Sequence, residues 1–343
     1  MQINKNELVQ ALEIVKPGLA SKEIIEQATS FAFIDDRVVT YNDEISISHP
    51  IEGLNLTGAI ESDQLYKFLN KIKKDEIEFT IENNQIILTT GRAKAGLTLH
   101  AEVTLPLDKE LSDKGKWKSL PTDFSKFLAF AMTSCSRDMS KPILTCVHVS
   151  KHGIIESSDN YRITQCHLES EMPLDDFLIP ATSAAEVVKI NPVKIAEGTG
   201  WMHFQNEIGT VLSCRVINEA FPNITPHLKV DGIRLILPNS TSEVLDRAMV
   251  FSKRDHSLDE TVFVSIQDRR LQIRSESSCG WFEEDINMKY SGDPVLFAIT
   301  PSLLKGILSE TSECEINADT HKLKFAGERW IHLTMLKIIK EKK

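Results

Sequence analysis

Apolar residues recur at helical spacing in three stretches of the chain, residues 7–15 (ELVQALEIV), 123–132 (DFSKFLAFAM) and 242–251 (SEVLDRAMVF), set about 115 residues apart. Each predicts an amphipathic helix, and each is followed by a strand-like run, at 31–33, 147–149 and 262–264. A second helical stretch comes later in every unit, at 62–72, 183–190 and 301–308. Alternating strands close the units, with 76–81, 193–197 and 313–317 in one set and 85–89, 201–205 and 322–325 in the other. The chain therefore states one pattern three times. Its period is far longer than the roughly 20–50 residues of solenoid repeats, so each unit is expected to be a domain with its own core.

Local signals sharpen the helix ends. Ser240 with Glu243, and Ser183 with Glu186, stand at capping-box spacing, while Thr300-Pro301 supplies a capping hydroxyl followed by proline at the first helical position. The strands are rich in Val, Ile, Phe and Thr, as in residues 85–89 (QIILT) and 270–274 (RLQIR). Two stretches without periodicity, residues 105–117 and 221–231, read as linkers and give domains 1–116, 117–226 and 227–343. The fold class is α+β, with two helices packed on antiparallel sheet in each domain.

Composition adds limits. A chain of 343 residues with 41% hydrophobic and 26% charged residues suits two or three globular domains. No run approaches the roughly 18 apolar residues of a membrane span, and the polar start (Gln2, Asn4, Lys5) lacks a secretory segment, so the chain is read as cytoplasmic. The six cysteines are irregularly spaced, form no C-x-x-C pair and are absent from the first unit. They are expected to be reduced, mostly buried thiols.

Candidate chemistry is sparse. Residues 91–96 (GRAKAG) have the glycine spacing of a phosphate loop, but Leu97 stands where its lysine belongs, so a hairpin is the better reading. Residues 198–200 (GTG) sit between strands and read as a turn. None of the ten histidines forms a metal-binding pattern, since His148 and His152 straddle a strand and a turn. The acidic clusters Asp35-Asp36 and Glu283-Glu284-Asp285 could suggest metal-assisted hydrolysis, yet solvated turns explain them more simply. No catalytic residue, metal or cofactor is assigned.

Charge is more informative. The net charge is −10, which excludes a protein that coats nucleic acid over its whole surface. Against that background Lys67, Lys71, Lys73 and Lys74 cluster on the second predicted helix, with Lys67, Lys71 and Lys74 at i, i+4, i+7 on one face, and the cognate helices are expected to add Lys126, Arg137, Lys141, Lys189, Arg247, Lys253, Arg254 and Lys305, with Lys22 after the first helix. A basic bias repeated on equivalent segments of an acidic chain points to one shared surface that faces phosphate.

The threefold unit, together with residues 158–163 (SDNYRI), Phe221-Pro222 and residues 290–292 (YSG), resembles the bacterial beta-type DNA sliding clamp, the processivity subunit of DNA polymerase III. The resemblance covers essentially the whole chain. It implies three repeated clamp domains in a head-to-tail homodimer that closes as a ring around duplex DNA. The ring would tether the replicative polymerase, clamp loader and repair proteins for processive replication, with no membrane role and no chemistry of its own.

The same resemblance implies a pocket for short linear motifs, carried by Leu144, Ser158, Asn160, Tyr161, Arg162, Ile163, Pro222, Thr300, Leu303, Thr320, Leu333 and Met335. An apolar hole with a polar rim would take a leucine or phenylalanine anchor. Leu97, Leu99, Val250 and Phe251 would lie at the dimer interface. The chain departs from the family where Asn160 replaces a usual glycine, where Pro226 and His227 replace basic and apolar residues, and at the C-terminus, where residues 334–338 (TMLKI) replace the usual Met-Pro-containing strand and the chain continues as residues 339–343. Two alternatives of other classes remain, a metal-dependent hydrolase using the acidic turns and a repeat-built structural or adhesion protein.

Overall fold

The computed structural model describes residues 2–107 and 115–339. Six helices stand where the periodicity placed them: α1 (Lys5–Val15), α2 (Ser62–Lys71), α3 (Phe124–Ala131), α4 (Ala181–Ile190), α5 (Thr241–Ser252) and α6 (Pro301–Leu308). Helix α1 shows why. Leu8, Ala11, Leu12 and Val15 recur at i, i+3, i+4, i+7 and are all buried, and Asn4 Oδ1 caps the first turn by accepting from the amides of Asn6 and Glu7.

Tertiary contacts group the chain into two units. The first comprises Met1–Ala129, His148–Gly153 and Glu169–Glu219, and the second Phe130–Val147, Ile154–Leu168 and Ala220–Lys343. Within the first, eight antiparallel strands lie side by side in the order Gly58–Glu61, Ser30–Ile34, Arg37–Tyr41, Ile45–Pro50, Val211–Arg215, Trp201–Gln205, Lys194–Gly198 and Lys118–Ser119. Ile45–Pro50 belongs to the first repeat and Val211–Arg215 to the second, so two repeats share one sheet. Within the second unit, Ile154–Ser158, Arg162–His167, Trp330–Met335, Lys322–Ala326, Glu313–Asn317 and Ile233–Ile236 run in that order, and the shared seam is Arg162–His167 against Trp330–Met335. Hydrogen-bonded ladders across such seams draw the contact groups together over the sequence repeats.

Each unit also holds a four-stranded sheet. In the first unit the order is Gln2–Asn4, Glu76–Glu82, Gln85–Thr90, Ala93–Thr98, and in the second it is Gly280–Asn287, Arg270–Ser277, Val262–Gln267, Val295–Ile299. Ala93–Thr98 and Gly280–Asn287 each end their sheet. The second unit's core packs Val244, Leu245 and Ala248 of α5 against Val264, Ile266, Leu271, Ile273 and Phe297.

The repeat is visible in individual hydrogen bonds. A buried strand hydroxyl donates to a carbonyl near the end of the first helix in every repeat: Thr40 to Val15, Ser157 to Ala131 and Ser275 to Ala248. At Val15 and Ala131, the last residues of their helices, this bond satisfies one of the carbonyls that a helix end leaves without a partner.

Several expectations are corrected. Ser240 precedes α5 without a side-chain cap bond, and Ser183 is buried inside α4, which begins two residues earlier, so neither capping box forms. Thr300 does precede Pro301, but its hydroxyl donates to the Leu258 carbonyl. Helix α2 ends at Lys71, because Ile72 turns extended at ψ 133°, so Lys73 and Lys74 lie beyond the helical face, and Arg137, Lys141, Lys253 and Arg254 likewise lie past the ends of α3 and α5. Asp35-Asp36 is a hairpin turn with φ of 46° and 57°, whereas Glu283–Asp285 lies in the strand Gly280–Asn287. Residues 91–92 and 199–200 join strands, as hairpin turns do. Five of the six cysteines are buried and Cys279 is exposed. Of the first linker, residues 108–114 lie outside the described residues, as does the tail from residue 340.

Candidate partner-binding site

The turn between Ile154–Ser158 and Arg162–His167 is built on Asp159. Its Oδ1 accepts from the amides of Tyr161 and Arg162, both at 3.0 Å, while Oδ2 accepts from Arg162 Nε at 2.9 Å. Ser158 Oγ donates to the Arg162 carbonyl and accepts from the Asn160 amide. Asn160 takes φ +72°, a left-handed backbone that asparagine tolerates better than most residues, so the turn survives without glycine. Tyr161 is held outward, 49% exposed, and its carbonyl accepts from the Met335 amide at 2.7 Å.

From this turn the seam register sets what faces what. Arg162 pairs with Thr334 and Ile163 with Leu333. Paired residues point to the same side of a sheet and neighbours alternate, so Ile163 and Leu333 share one face with Met335. There they meet Ile224, Leu228 and Val230, with Phe221 and Ile331 packed alongside. The result is an apolar floor beside a polar turn. Phe221, Ile224, Leu228 and Val230 come from the stretch read as a linker, and the signal was present in its apolar residues at 221, 224, 228 and 230.

The opposite face of the seam is polar. Thr164 Oγ1 lies 2.8 Å from His332 Nδ1 and 2.6 Å from Ser134 Oγ. His332 Nε2 and Thr334 Oγ1 are buried with no hydrogen-bond partner among the described residues. Burial, with the Arg162 charge adding to it, pushes the His332 imidazole down to about 3. His332 is therefore neutral at physiological pH, and its role is structural.

Not every predicted pocket residue joins the cluster. Leu144 is buried in the turn Pro142–Thr145 and its carbonyl accepts from the Ser136 amide. Pro222 is exposed beside Phe221. Thr300 and Leu303 are buried at the start of α6, and Thr320 is exposed in the turn before Lys322–Ala326. After Met335 the chain leaves the cluster: the Leu336 amide donates to His321, the Lys337 amide to Ala298, and Lys337 Nζ to the carbonyls of Leu258 and Glu260 and to Thr261 Oγ1 at 2.6–2.8 Å.

The equivalent seam in the first unit offers no such floor. Ser46 pairs with Ser213 where Ile163 pairs with Leu333, and Arg215 stands at the position of Met335. Arg215 lies 4.6 Å from the centre of the Trp201 ring and pairs with Asp43. Two serines and an arginine cannot hold an apolar anchor.

Among the basic residues, Lys67 pairs with Asp63, Lys189 with Glu186 and Lys305 with Asp246, and Arg254 donates to backbone carbonyls. Lys22, Lys126, Arg137, Lys141 and Lys253 are exposed. Lys71 and Lys74, with Phe68, Ile72, Lys73, Arg92 and Ala93, line a cavity of about 420 Å³ next to the strand Ala93–Thr98. Of the residues expected at a dimer interface, Val250 is 64% exposed, Phe251 stacks on Phe282, and Leu97 is half-buried. Leu99 is buried at 5% and belongs to the interior of its own unit. Among the described residues no group of acids, histidines or cysteines could hold a metal ion, and no helix is long and apolar enough to cross a membrane.

No family model matches the chain. It is 29% identical over 332 residues to the beta sliding clamp of Streptococcus pneumoniae strain R6, covering 88% of this chain and 87% of that one. Its fold matches the DNA polymerase III beta chain of S. pneumoniae TIGR4 with a TM-score of 0.84 at 21% identity, over 98% of this chain and 99% of the other. It matches the DNA polymerase beta subunit of Streptococcus pyogenes with a TM-score of 0.85 at 19% identity, over 98% and 99% of the two chains.

Proposed function

We propose, from the premise that this chain belongs to the bacterial beta sliding clamp family, that two copies join head to tail around duplex DNA and tether a DNA polymerase to it. The observation that carries the reading is the sequence match to a beta sliding clamp along 88% of the chain. The fold supports it. Adjacent repeats already join by sharing sheets, which leaves two four-stranded sheets with open edges, Ala93–Thr98 in one unit and Gly280–Asn287 in the other. Open edges favour pairing with another chain, and a head-to-tail contact between unlike edges closes when the rotation between copies closes.

The chemistry of these edges is complementary. Beside Ala93–Thr98 stands the cavity floored by Phe68 and Ile72 and rimmed by Lys71, Lys73, Lys74 and Arg92. Beside Gly280–Asn287 stand exposed Val250 and Trp281, with the carboxylates of Glu283 and Asp285. Apolar groups meet apolar groups and cations meet acids in a partner of the same chain. Retention on DNA would then be topological, so the exposed cations need only weak contact with phosphate and the ring can slide. A clamp of this kind requires no catalytic group of its own.

The apolar floor of Ile163, Leu333, Met335, Ile224, Leu228 and Val230, with the Asp159-braced turn at its rim, fits a short partner motif with one aliphatic or aromatic anchor. Ile163→Ala with Met335→Ala is expected to weaken a leucine- or phenylalanine-containing motif peptide more than fivefold, about 1 kcal/mol or more, while the dimer mass stays the same. Unchanged peptide affinity would place partner recruitment elsewhere. The function as a whole is tested by loading the protein on a nicked circle, sealing it, and measuring retention before and after the circle is cut. Retention on the closed circle and release from the cut one are expected; equal loss from both sinks the encircling reading.

A further inference from the structure

Ile233–Ile236 ends the eight-stranded sheet of the second unit, and among the described residues no strand pairs with its outer side. The strands that open the other two repeats also end their sheets, and both are short and polar outside. Gln2–Asn4 exposes Gln2 and Asn4 with Ile3 turned inward, and Lys118–Ser119 exposes both of its polar residues. Natural sheet edges are blunted in this way, by shortness and by polar or charged side chains. The third repeat departs from that rule. Its strand reads IRLI, with Ile233 41% and Ile236 65% exposed.

The ladder fixes which backbone groups this edge leaves free. The Leu237 amide donates to the Ser312 carbonyl at 2.9 Å, and the register pairs Leu235 with Cys314 and Ile233 with Ile316. Opposed residues of an antiparallel ladder alternate between bonded and unbonded pairs, so Ile233, Leu235 and Leu237 bond inward. The amides and carbonyls of Arg234 and Ile236 point away from the sheet and have no hydrogen-bond partner among the described residues. Leu235 and Leu237 are buried in the core, so alternation puts the side chains of Arg234 and Ile236 together on the outer face. There Arg234 lies across from Glu315 and Ile236 across from Glu313. Glu315 is already engaged: one oxygen accepts from the Gly232 amide at 3.2 Å and the other lies 3.7 Å from Lys324 Nζ. Arg234 is left as an exposed cation with no ion-pair partner among the described residues.

We propose that Ile233–Ile236 is a docking strand to which an extended, acidic segment of another protein adds in antiparallel fashion. The outward amides and carbonyls of Arg234 and Ile236 supply the main-chain hydrogen bonds of such a complex, and side chains at alternate positions make it selective. The charges define the sequence that fits. Opposed residues share a face, so the partner residue across from Ile236 is aliphatic and the one two places later, across from Arg234, is acidic. An acid across from Ile236 would instead stand near Glu313, which is exposed on the same face. The residue between the two lies on the side of Ile233 and Leu235, where a second aliphatic side chain covers the exposed part of Ile233. The site involves none of the residues of the apolar floor and neither of the two edges assigned to the dimer, and it does not depend on the encircling reading.

The test titrates the full-length protein into a fluorescein-labelled peptide, Thr-Ile-Val-Glu-Val-Ser, and reads anisotropy. Its isoleucine falls across from Ile236 and its glutamate across from Arg234. Saturable binding is expected. N-methylation of the isoleucine and glutamate amides, which face the strand, should weaken it about tenfold or more through two lost hydrogen bonds. N-methylation of the two valine amides, which face away, should change it by no more than about twofold, because those amides make no bond to the sheet. Exchanging the isoleucine and glutamate should weaken binding about fivefold, and Arg234→Glu should make the protein prefer a peptide with lysine in place of glutamate. No binding, equal loss from both methylated peptides, or an unchanged preference in the Arg234→Glu protein overturns the proposal. If that variant does not fold, the two methylated peptides on the native chain decide alone. Light scattering without peptide tests the other occupant: an assembly larger than a dimer that Ile236→Ser dissolves would assign the edge to a second copy of this chain and overturn the proposal.

Discussion

Asp159 and His332 show how much one side chain decides on either side of a sheet seam. Asp159 holds the rim turn through two amides and the Arg162 guanidinium. Asp159→Ala should cost about 2 kcal/mol, since charged hydrogen bonds in a half-buried turn are lost together, and should weaken motif-peptide binding without changing the dimer mass. Denaturant unfolding and peptide titration check both. On the far side, His332 titrates at about 3 when folded and near the ordinary 6.5 when unfolded. A base depressed by burial refuses a proton that the unfolded chain accepts, so its neutral form contributes stability above about 6.5 that is lost as pH falls toward 3. Between pH 6 and 4 the native protein should lose up to about 1.4 kcal/mol per pH unit from this group. His332→Asn, which retains a polar atom for Thr164, is expected to start less stable but to show a shallower decline. Identical slopes in the two proteins would show that His332 does not report on acid lability.

At the scale of elements, the proposed assembly rests on the two open strands. Arg92 and Lys94 are exposed at one edge, and Glu283 is exposed at the other with no ion-pair partner among the described residues. Arg92→Glu with Lys94→Glu should convert the dimer to monomer at micromolar concentration, and adding Glu283→Lys should restore part of the dimer. Sedimentation or light scattering decides; a dimer that ignores both changes rules out this pairing of edges. The C-terminal segment behaves as a strap. Lys337 bridges to Ala298 through its amide and cages its ammonium among Leu258, Glu260 and Thr261, and burial lowers its pKa accordingly. The strap leads away from Met335, so truncation after Lys337 should leave motif-peptide affinity within about twofold, a change too small for a lost hot-spot contact.

For the whole molecule, the proposed charge pairing at ring closure implies a salt dependence distinct from that of DNA contact. Retention on a closed circle should be indifferent to salt until the dimer itself opens, and the loss should then depend on protein concentration, because screening acts on exposed charges at the edges. A concentration-independent loss that tracks the salt dependence of duplex binding would assign retention to surface affinity instead.

The sequence by itself determined the helices, the α+β class and the threefold repeat, because helical and strand periodicities are local and the period of about 115 residues needs only comparison along the chain. It also carried residues 158–163, whose turn is made by near neighbours, and through family resemblance it named Ile163, Leu333 and Met335. What it could not supply depended on distant partners. Neither the sharing of sheets between repeats nor the burial of Leu99 is written in local pattern, since both follow from strands far apart in the chain. The stretch 221–231 lacks periodicity and looked like a linker, yet Ile224, Leu228 and Val230 complete the apolar floor once the seam brings Leu333 beside Ile163. Ser183 and Ser240 matched a capping pattern, but burial of one and the backbone geometry at the other removed the bond. Local preference sets which elements form, and the pairing of remote strands decides which of their side chains meet.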